Sequence, residues 1–97
     1  MIEHLVLFKW APDATPDQIN AALDGLRSLR GRIAGILDVT CGENFCSRSQ
    51  GFTHGLTVRF DSREALDAYA VDPAHLEVIS KFINPIKADV LALDYTI

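Results

Sequence analysis

The sequence predicts an α+β fold in which a four-stranded antiparallel sheet carries its helices on one face. Alternating apolar residues mark four strands, capping signals mark three helices, and the elements follow in the order β-α-β-β-α-α-β. This order is typical of a ferredoxin-like, or split βαβ, subunit. The 97 residues leave room for one domain at roughly 150 residues per domain, and we expect residues 1–97 to form it.

Composition argues against several classes of protein. With 48% hydrophobic and 23% charged residues, the chain is typical of a globular domain and not of a disordered one. A net charge of −4 without a Lys/Arg cluster argues against nucleic-acid and anionic-membrane partners. No apolar run approaches the roughly 18 residues of a membrane span, and Glu3 stands where a signal peptide carries basic residues. We therefore expect a cytoplasmic protein.

The first strand is predicted over Ile2–Trp10 and has two apolar faces. One face carries His4, Val6, Phe8 and Trp10, and the other carries Leu5 and Leu7. The segment Thr15-Pro16-Asp17-Gln18 then predicts a helix start with a capping box. Apolar residues follow it at helical spacing: Ile19, Ala22, Leu23, Leu26 and Leu29.

The remaining elements are marked in the same way. Two further strands are predicted over Ile36–Cys41 and Phe52–Phe60, with a polar loop between them. Asp61 or Ser62 is expected to cap a second helix through about Tyr69. A third helix starts at Asp72-Pro73 and ends before Pro85. Its apolar stripe contains Leu76, Ile79 and Ile83, joined by Val78 and Phe82. The last strand, Ala88–Tyr95, is apolar on both faces apart from Asp89 and Asp94.

Helices on one face of the sheet leave an apolar patch on the other face without a cover. The residues of this patch are Leu5, Leu7, Leu91, Leu93 and Tyr95. Exposed apolar patches mark interfaces, and a symmetric dimer is the commonest arrangement. We therefore expect a homodimer in which two sheets pack face to face.

The two cysteines, Cys41 and Cys46, do not form a C-x-x-C motif. They flank a predicted turn, which leaves a disulfide open, whereas free thiols are typical of a reducing cytoplasm. Nothing nearby completes the four ligands of a zinc site, so no metal site is expected. The chain has no phosphate-binding loop and no nucleophile elbow, and no cofactor is expected.

Three histidines and one tyrosine are the candidates for chemistry. His4 and His54 fall on strand faces that point into one apolar space, where a catalytic role competes with that of hydrogen-bonded core residues. His75 falls in the first turn of the third helix, where the helix dipole and burial both favour the neutral ring that a general base needs. Tyr69 lies six residues earlier, and the Asp72-Pro73 break can bring both rings to one pocket. The alternatives are a histidine that donates to Asp72 and a tyrosine that only packs.

Six segments of the chain stand in a distinctive order and spacing: His4–Lys9, Ile36–Gly42, Gly51–Gly55, Tyr69, Pro73–His75 and Asp94–Tyr95. Together they resemble the stress-responsive dimeric A/B barrel (Dabb) family, nearly from end to end. The resemblance implies a ferredoxin-like subunit whose sheet packs on that of a second copy to form a dimeric α+β barrel.

The chain also resembles plant polyketide cyclases of this fold, which close a linear tetraketide by aldol condensation without a metal or redox cofactor. The resemblance implies that His75 is the general acid/base, that Tyr69 hydrogen-bonds the substrate and that His4 lines or polarises the pocket. The residues then expected to contact a small apolar carbonyl substrate are Val6, Phe8, Leu23, Leu26, His54 and Leu56.

Three departures from the plant pattern change the expected pocket. Asp72 stands where the plant motif has a histidine, and the segment Ile83–Lys87 is about one residue longer and lacks a tryptophan. Bulky aromatic residues of the first helix are replaced by Ala22, Leu23 and Leu26. Three functions therefore stay open: a cofactor-free enzyme of proton transfer or aldol-type cyclisation, a non-catalytic stress-responsive structural protein, and a cofactor-free monooxygenase-like enzyme.

Overall fold

All 97 residues are described by the computed structural model. It contains four strands, three α-helices and one turn of π-helix. In chain order these are β1 (Ile2–Trp10), α1 (Pro16–Arg27), β2 (Ile36–Glu43), β3 (His54–Phe60), α2 (Arg63–Val71), α3 (Pro73–Val78), the π-helical turn (Ile79–Ile83) and β4 (Lys87–Thr96). The predicted order of elements is confirmed.

The strands form one antiparallel sheet in the order β2-β3-β1-β4. This is the ferredoxin-like arrangement, with β1 and β3 in the centre as predicted. In the register of β1, His4 lies opposite Val58 of β3 and opposite Asp94 of β4. Residues directly opposite each other share a face of the sheet, so this register decides which side chains meet beneath the helices.

The helices begin where their capping residues stand. The Thr15 hydroxyl accepts from the Gln18 amide at 3.2 Å, and the Gln18 side chain accepts from the Thr15 amide at 2.9 Å, which completes the predicted capping box. Ser62, and not Asp61, caps α2 by accepting from the Ala65 amide at 3.1 Å. The Asp72 carboxylate caps α3 by accepting from the Ala74 amide at 2.8 Å. A helix of six residues can therefore restart directly after α2.

The hydrophobic core lies between the helices and one face of the sheet. Its largest fully buried side chains are Phe60 and Val58 of β3, Leu29 after α1, and Ile83. Fully burying one such side chain contributes about 1.5–3 kcal/mol. The faces predicted for β1 and β3 are those that the core uses, since Val6, Phe8 and Leu56 are also buried in it.

Some boundaries and one predicted stripe differ from the sequence-based expectation. β2 continues to Glu43, and β3 starts at His54 because Gln50 and Gly51, both at positive φ, prolong the turn before it. Leu76 is 50% exposed and not part of the core. Val78, which was expected to join the stripe, is the buried residue of α3. Leu76 points away from the core because residues two apart lie on opposite sides of a helix with 3.6 residues per turn.

The outer face of the sheet, opposite the helices, has no cover within the chain. Leu91, Leu93 and Tyr95 are 55%, 56% and 46% exposed there, and Leu5 and Leu7 pair with Leu93 and Leu91 on the same face. The buried Glu3 carboxylate on this face accepts from Arg59 Nη2 at 2.8 Å. The apolar patch of the outer face therefore lies on β1 and β4, whereas the part formed by β2 and β3 carries polar residues such as Asp38, Thr40 and Thr57.

No helix of the chain combines the length and the apolar character needed to cross a lipid bilayer.

Two glycines offer a matched test of the loop between α1 and β2. Gly31 and Gly35 both have a φ of 87°, but a Cβ at Gly35 would lie 2.5 Å from Ala65 Cβ, whereas a Cβ at Gly31 would meet nothing within 4 Å. We expect Gly31→Ala to lower the free energy of unfolding by about 1 kcal/mol through backbone strain alone. Gly35→Ala should lose at least about 1 kcal/mol more, because α2 must shift. Urea denaturation measures both, and equal losses would contradict this packing.

Candidate functional site

A cavity of about 270 Å³ lies between the helix-facing side of the sheet and α2, α3 and the π-helical turn. This volume is slightly below the roughly 300–1,000 Å³ of typical ligand sites. β4 forms an exposed edge of the cavity, because Lys87, Val90 and Ala92 are solvent-exposed. Its twelve lining residues are His4, Val6, Phe8, Leu26, Leu56, Tyr69, His75, Ile79, Ile83, Lys87, Val90 and Ala92.

The break between α2 and α3 brings Tyr69 and His75 together. Tyr69 stands in the last turn of α2, and Asp72 both ends that helix and caps the next. The centroids of the Tyr69 and His75 rings are 4.1 Å apart. The chain reversal at Asp72-Pro73 therefore places a phenol and an imidazole at one end of the cavity.

One ring nitrogen of His75, Nδ1, has no hydrogen-bond partner within the protein. This nitrogen is buried, and the Asp72 carboxylate is engaged by the Ala74 amide. Burial lowers the pKa of His75, the nearby His4 ring acts in the same direction, and the Ala70 carbonyl and Asp72 carboxylate oppose this shift. At neutral pH the ring is uncharged and has a nitrogen free to bind a ligand or take a proton.

Tyr69 presents a neutral hydroxyl to the same end of the cavity. Burial raises its pKa to about 12, so the phenol remains a hydrogen-bond donor at neutral pH. No side-chain hydrogen bond of the chain involves this hydroxyl. The ring packs edge-on against that of Phe60, with 5.0 Å between the ring centroids. A fixed donor without a partner suits a substrate oxygen.

His4 is oriented by a residue that the sequence did not single out as part of a site. Its Nδ1 is hydrogen-bonded to Asp94 Oδ1, and its ring lies 6.0 Å from that of Tyr69 in an edge-on contact. Because a carboxylate only accepts hydrogen bonds, Nδ1 carries the hydrogen and Nε2 remains available. The signal was the interruption of an apolar strand by Asp94. It could not be used without the register that sets Asp94 opposite His4.

Four of the predicted wall residues, Val6, Phe8, Leu26 and Leu56, line the cavity, but Leu23 and His54 do not. His54 pairs with Phe8, four residues along β1 from His4, which is about 14 Å away at the rise of a strand. Its Nδ1 accepts from Trp10 Nε1 at 2.9 Å. The expectation that His4 and His54 share one apolar space is therefore wrong. Leu23 lies over β2 instead, where the Cys41 thiol lies 3.9 Å from its carbonyl oxygen.

The cysteines and the acidic residues form no second site. Cys41 is partly buried, Cys46 is exposed, and both thiols are free. Burial raises the pKa of the Cys41 thiol, which opposes thiolate formation. No group of three or more His, Cys, Asp or Glu side chains is arranged to hold a metal ion.

Comparison with known proteins decides the family. Residues 2–97 match the family model described as the stress responsive A/B barrel domain, or Dabb. The chain belongs to the Dabb family. It is 33% identical over 96 residues to a stress-response A/B barrel domain-containing protein of Arabidopsis thaliana. That match covers 98% of this chain but 36% of the plant protein, so the chain spans about a third of the length of this relative.

Solved structures with the same fold superpose closely on the chain. The crystal structure of At3g17210 from Arabidopsis thaliana has a TM-score of 0.92 at 26% identity, covering 100% of this chain and 95% of that one. A dimeric ferredoxin-like protein of unknown function from Jannaschia sp. CCS1 has a TM-score of 0.84 at 28% identity, covering 99% and 98%. The hydroxynitrile lyase of Passiflora edulis shares the fold, with a TM-score of 0.89 at 21% identity, covering 99% and 92%.

Acid pH should weaken the folded state in part through His75. Because its pKa is lowered below the ordinary 6.5, the unfolded chain binds a proton that the folded chain rejects, and the free energy of unfolding falls as the pH drops below that value. We expect a smaller loss between about pH 7 and pH 5 in His75→Gln, measured by urea denaturation. His54, whose pKa burial also lowers, accounts for part of the remaining dependence. Identical pH dependence in wild type and His75→Gln would contradict a buried neutral His75.

Proposed function

We propose that the chain is an acid–base catalyst that transfers a proton at a carbon atom next to a carbonyl group, as in aldol-type cyclisation of a polyketide-like or small carbonyl metabolite. The observation that supports this best is the buried His75 Nδ1 without a partner, beside the unpaired Tyr69 hydroxyl at the end of an apolar cavity. Buried polar groups are normally satisfied. The buried His75 Nδ1, which has no partner, is therefore suited to a polar ligand.

In the first step His75 acts as the general base. A neutral imidazole nitrogen takes a proton from the carbon next to the substrate carbonyl, and the electron pair of the C–H bond moves into an enolate. The Tyr69 hydroxyl donates a hydrogen bond to the enolate oxygen, where negative charge develops. The lowered pKa of His75 keeps the base uncharged at neutral pH, and the raised pKa of Tyr69 keeps the donor protonated.

In the second step the enolate carbon forms a bond to another carbonyl carbon of the substrate. The electron pair of that carbonyl moves to its oxygen, which takes back the proton from the His75 imidazolium, so that no proton is gained or lost. His4 lies 6.0 Å from Tyr69 between ring centroids and supplies a second polar contact through Nε2. Asp94 is a positioning residue, since it acts by fixing the His4 ring.

The resemblance to plant polyketide cyclases supports this assignment, because the residues at their catalytic positions correspond to His75 and Tyr69. The Passiflora edulis protein of the same fold is named as a lyase, which adds an enzyme among the structural neighbours without fixing a reaction for this chain.

We also propose that the chain is a homodimer through the outer face of its sheet. The uncovered Leu91 and Leu93 side chains support this, and the structural neighbour from Jannaschia sp. CCS1 is described as dimeric. Two copies that pack these faces together would bury the apolar residues on both sides of a twofold axis. The helix-facing cavity lies on the opposite side of each sheet, so dimerisation leaves it in place.

A binding protein without turnover is the second candidate. The cavity volume of about 270 Å³ is slightly below that of typical ligand sites, and the Arabidopsis thaliana relative is named only for a stress response. Such a protein would need the dimer but no proton transfer, and the activity measurement below separates the two functions.

Proton transfer can be measured without knowing the natural substrate. Exchange of the α-hydrogens of ketones and thioesters with deuterated water, followed by NMR, reports the first step alone. We expect His75→Gln to slow protein-catalysed exchange by about 100-fold or more and Tyr69→Phe by about 100-fold. The wild-type rate should fall as the pH drops through the lowered pKa of His75, because the protonated ring is no longer a base.

The matched control for this experiment is His54→Gln, which removes a histidine that lies outside the cavity. Its exchange rate should remain close to that of the wild type. A folded His75→Gln variant with the wild-type rate would reject the mechanism, and no exchange with any substrate would favour the binding protein.

Two exposed leucines test the dimer. Leu93 on the outer face and Leu76 on α3 are exposed to a similar extent, 56% and 50%. We expect Leu93→Lys to shift the chain to a monomer in sedimentation velocity at micromolar concentration, because a charge would be buried at the interface. Leu76→Lys should leave the dimer intact. A wild-type monomer, or equal effects of both substitutions, would contradict the proposed interface.

A further inference from the structure

We propose that the cavity selects substrates that carry a carboxylate at the end remote from the reacting carbonyl group, and that Lys87 recognises this carboxylate. The inference rests on the proposed function for the position of the reacting carbonyl, and it adds the chemical class of the substrate. It depends on where Lys87 stands, on what else lines the cavity and on the absence of another partner for its ammonium group.

Lys87 lies at the opposite end of the cavity from the His75 and Tyr69 rings. In the register of β1 and β4, Asp94 is opposite His4 and Lys87 is opposite Trp10. Trp10 lies six positions after His4 along β1, a distance of about 20 Å between backbone positions at the rise of a strand. The flexible side chain of Lys87 shortens that distance for its ammonium group. A ligand that touches both ends must therefore be elongated.

The lining residues at the two ends of the cavity also differ in chemical character. Nine of the twelve lining residues are hydrophobic, and the other three are His4, His75 and Lys87. No carboxylate lines the cavity, so Lys87 supplies its only permanent charge. An ammonium group next to apolar walls attracts an anion more strongly than one surrounded by water. The lining therefore matches a molecule with a carbonyl at one end, an apolar middle and a single negative charge at the other end.

The ammonium group of Lys87 is free to bind such a charge. None of the four ion pairs of the chain and none of its side-chain hydrogen bonds involves Lys87. The other two lysines each lie over an aromatic ring, Lys9 at 4.7 Å from Phe52 and Lys81 at 5.3 Å from Phe82. Lys87 is thus the one lysine without a partner.

A purely structural role for Lys87 makes a different prediction. The four methylene groups of a lysine can cover apolar surface while the ammonium group stays in water. Lys87→Met would keep that cover and change nothing in the preference between charged and neutral ligands. Charge recognition, in contrast, requires the preference to follow the charge of the side chain at this position.

The test uses the binding of medium-chain carboxylates and of alcohols with the same chain length, measured by isothermal titration calorimetry at low salt. We expect the wild type to bind the carboxylate about three- to fivefold more tightly than the alcohol, the upper part of the range for a solvent-accessible ion pair. Lys87→Met should abolish this preference, Lys87→Arg should keep it, and added salt should weaken it. Lys81→Met is the matched control and should behave like the wild type.

Equal affinity for the two probes in the wild type, a preference that persists in Lys87→Met, or binding of neither probe would overturn the inference. Because Lys87 is solvent-exposed, these substitutions leave the core unchanged, and a urea denaturation curve of each variant verifies this. The deuterium exchange of neutral ketones does not require Lys87. A negative result in the binding test would therefore reject the role of Lys87 without rejecting the catalytic proposal.

Discussion

The structure depends on β1 being a central strand with helices on only one of its sides. Its alternation sends His4, Val6 and Phe8 towards the helices and leaves Leu5 and Leu7 on the outer face. A central strand pairs on both edges, so its register brings β3 and β4 to the same cavity. The strand therefore supplies both the floor of the cavity and the surface proposed for the dimer.

The polar groups of the cavity come from an interruption of helical structure, not from a continuous element. Asp72 ends α2 and starts α3, and this break sets Tyr69 against His75 at 4.1 Å between ring centroids. Burial then lowers the pKa of His75 and raises that of Tyr69 to about 12. The same desolvation gives a neutral base and a neutral donor, because burial disfavours whichever form is charged.

Short-range signals in the sequence are sufficient to predict the helices and strands and part of the candidate site. Thr15, Ser62 and Asp72 mark helix starts through short-range hydrogen bonds, and the place of His75 follows from that of Asp72. The contact between His4 and Asp94 depends on a strand register that alternation leaves free in steps of two residues. The face of His54 was predicted correctly, but the same ambiguity along β1 left its distance from His4 open. The π-helical turn and the position of Lys87 depend on tertiary packing, for which no short motif exists.

The proposed chemistry requires His75 to present an uncharged, unpaired nitrogen to a ligand in the cavity. Nitrogen NMR of the labelled imidazole rings reports on this nitrogen while a 1,3-diketone is added and its binding is followed by calorimetry. We expect bound diketone to change the His75 nitrogen shift as its enol hydrogen-bonds to the ring, whereas His54, bonded to Trp10, does not respond. Bound diketone with an unchanged His75 resonance, or no binding at all, would refute this role for His75.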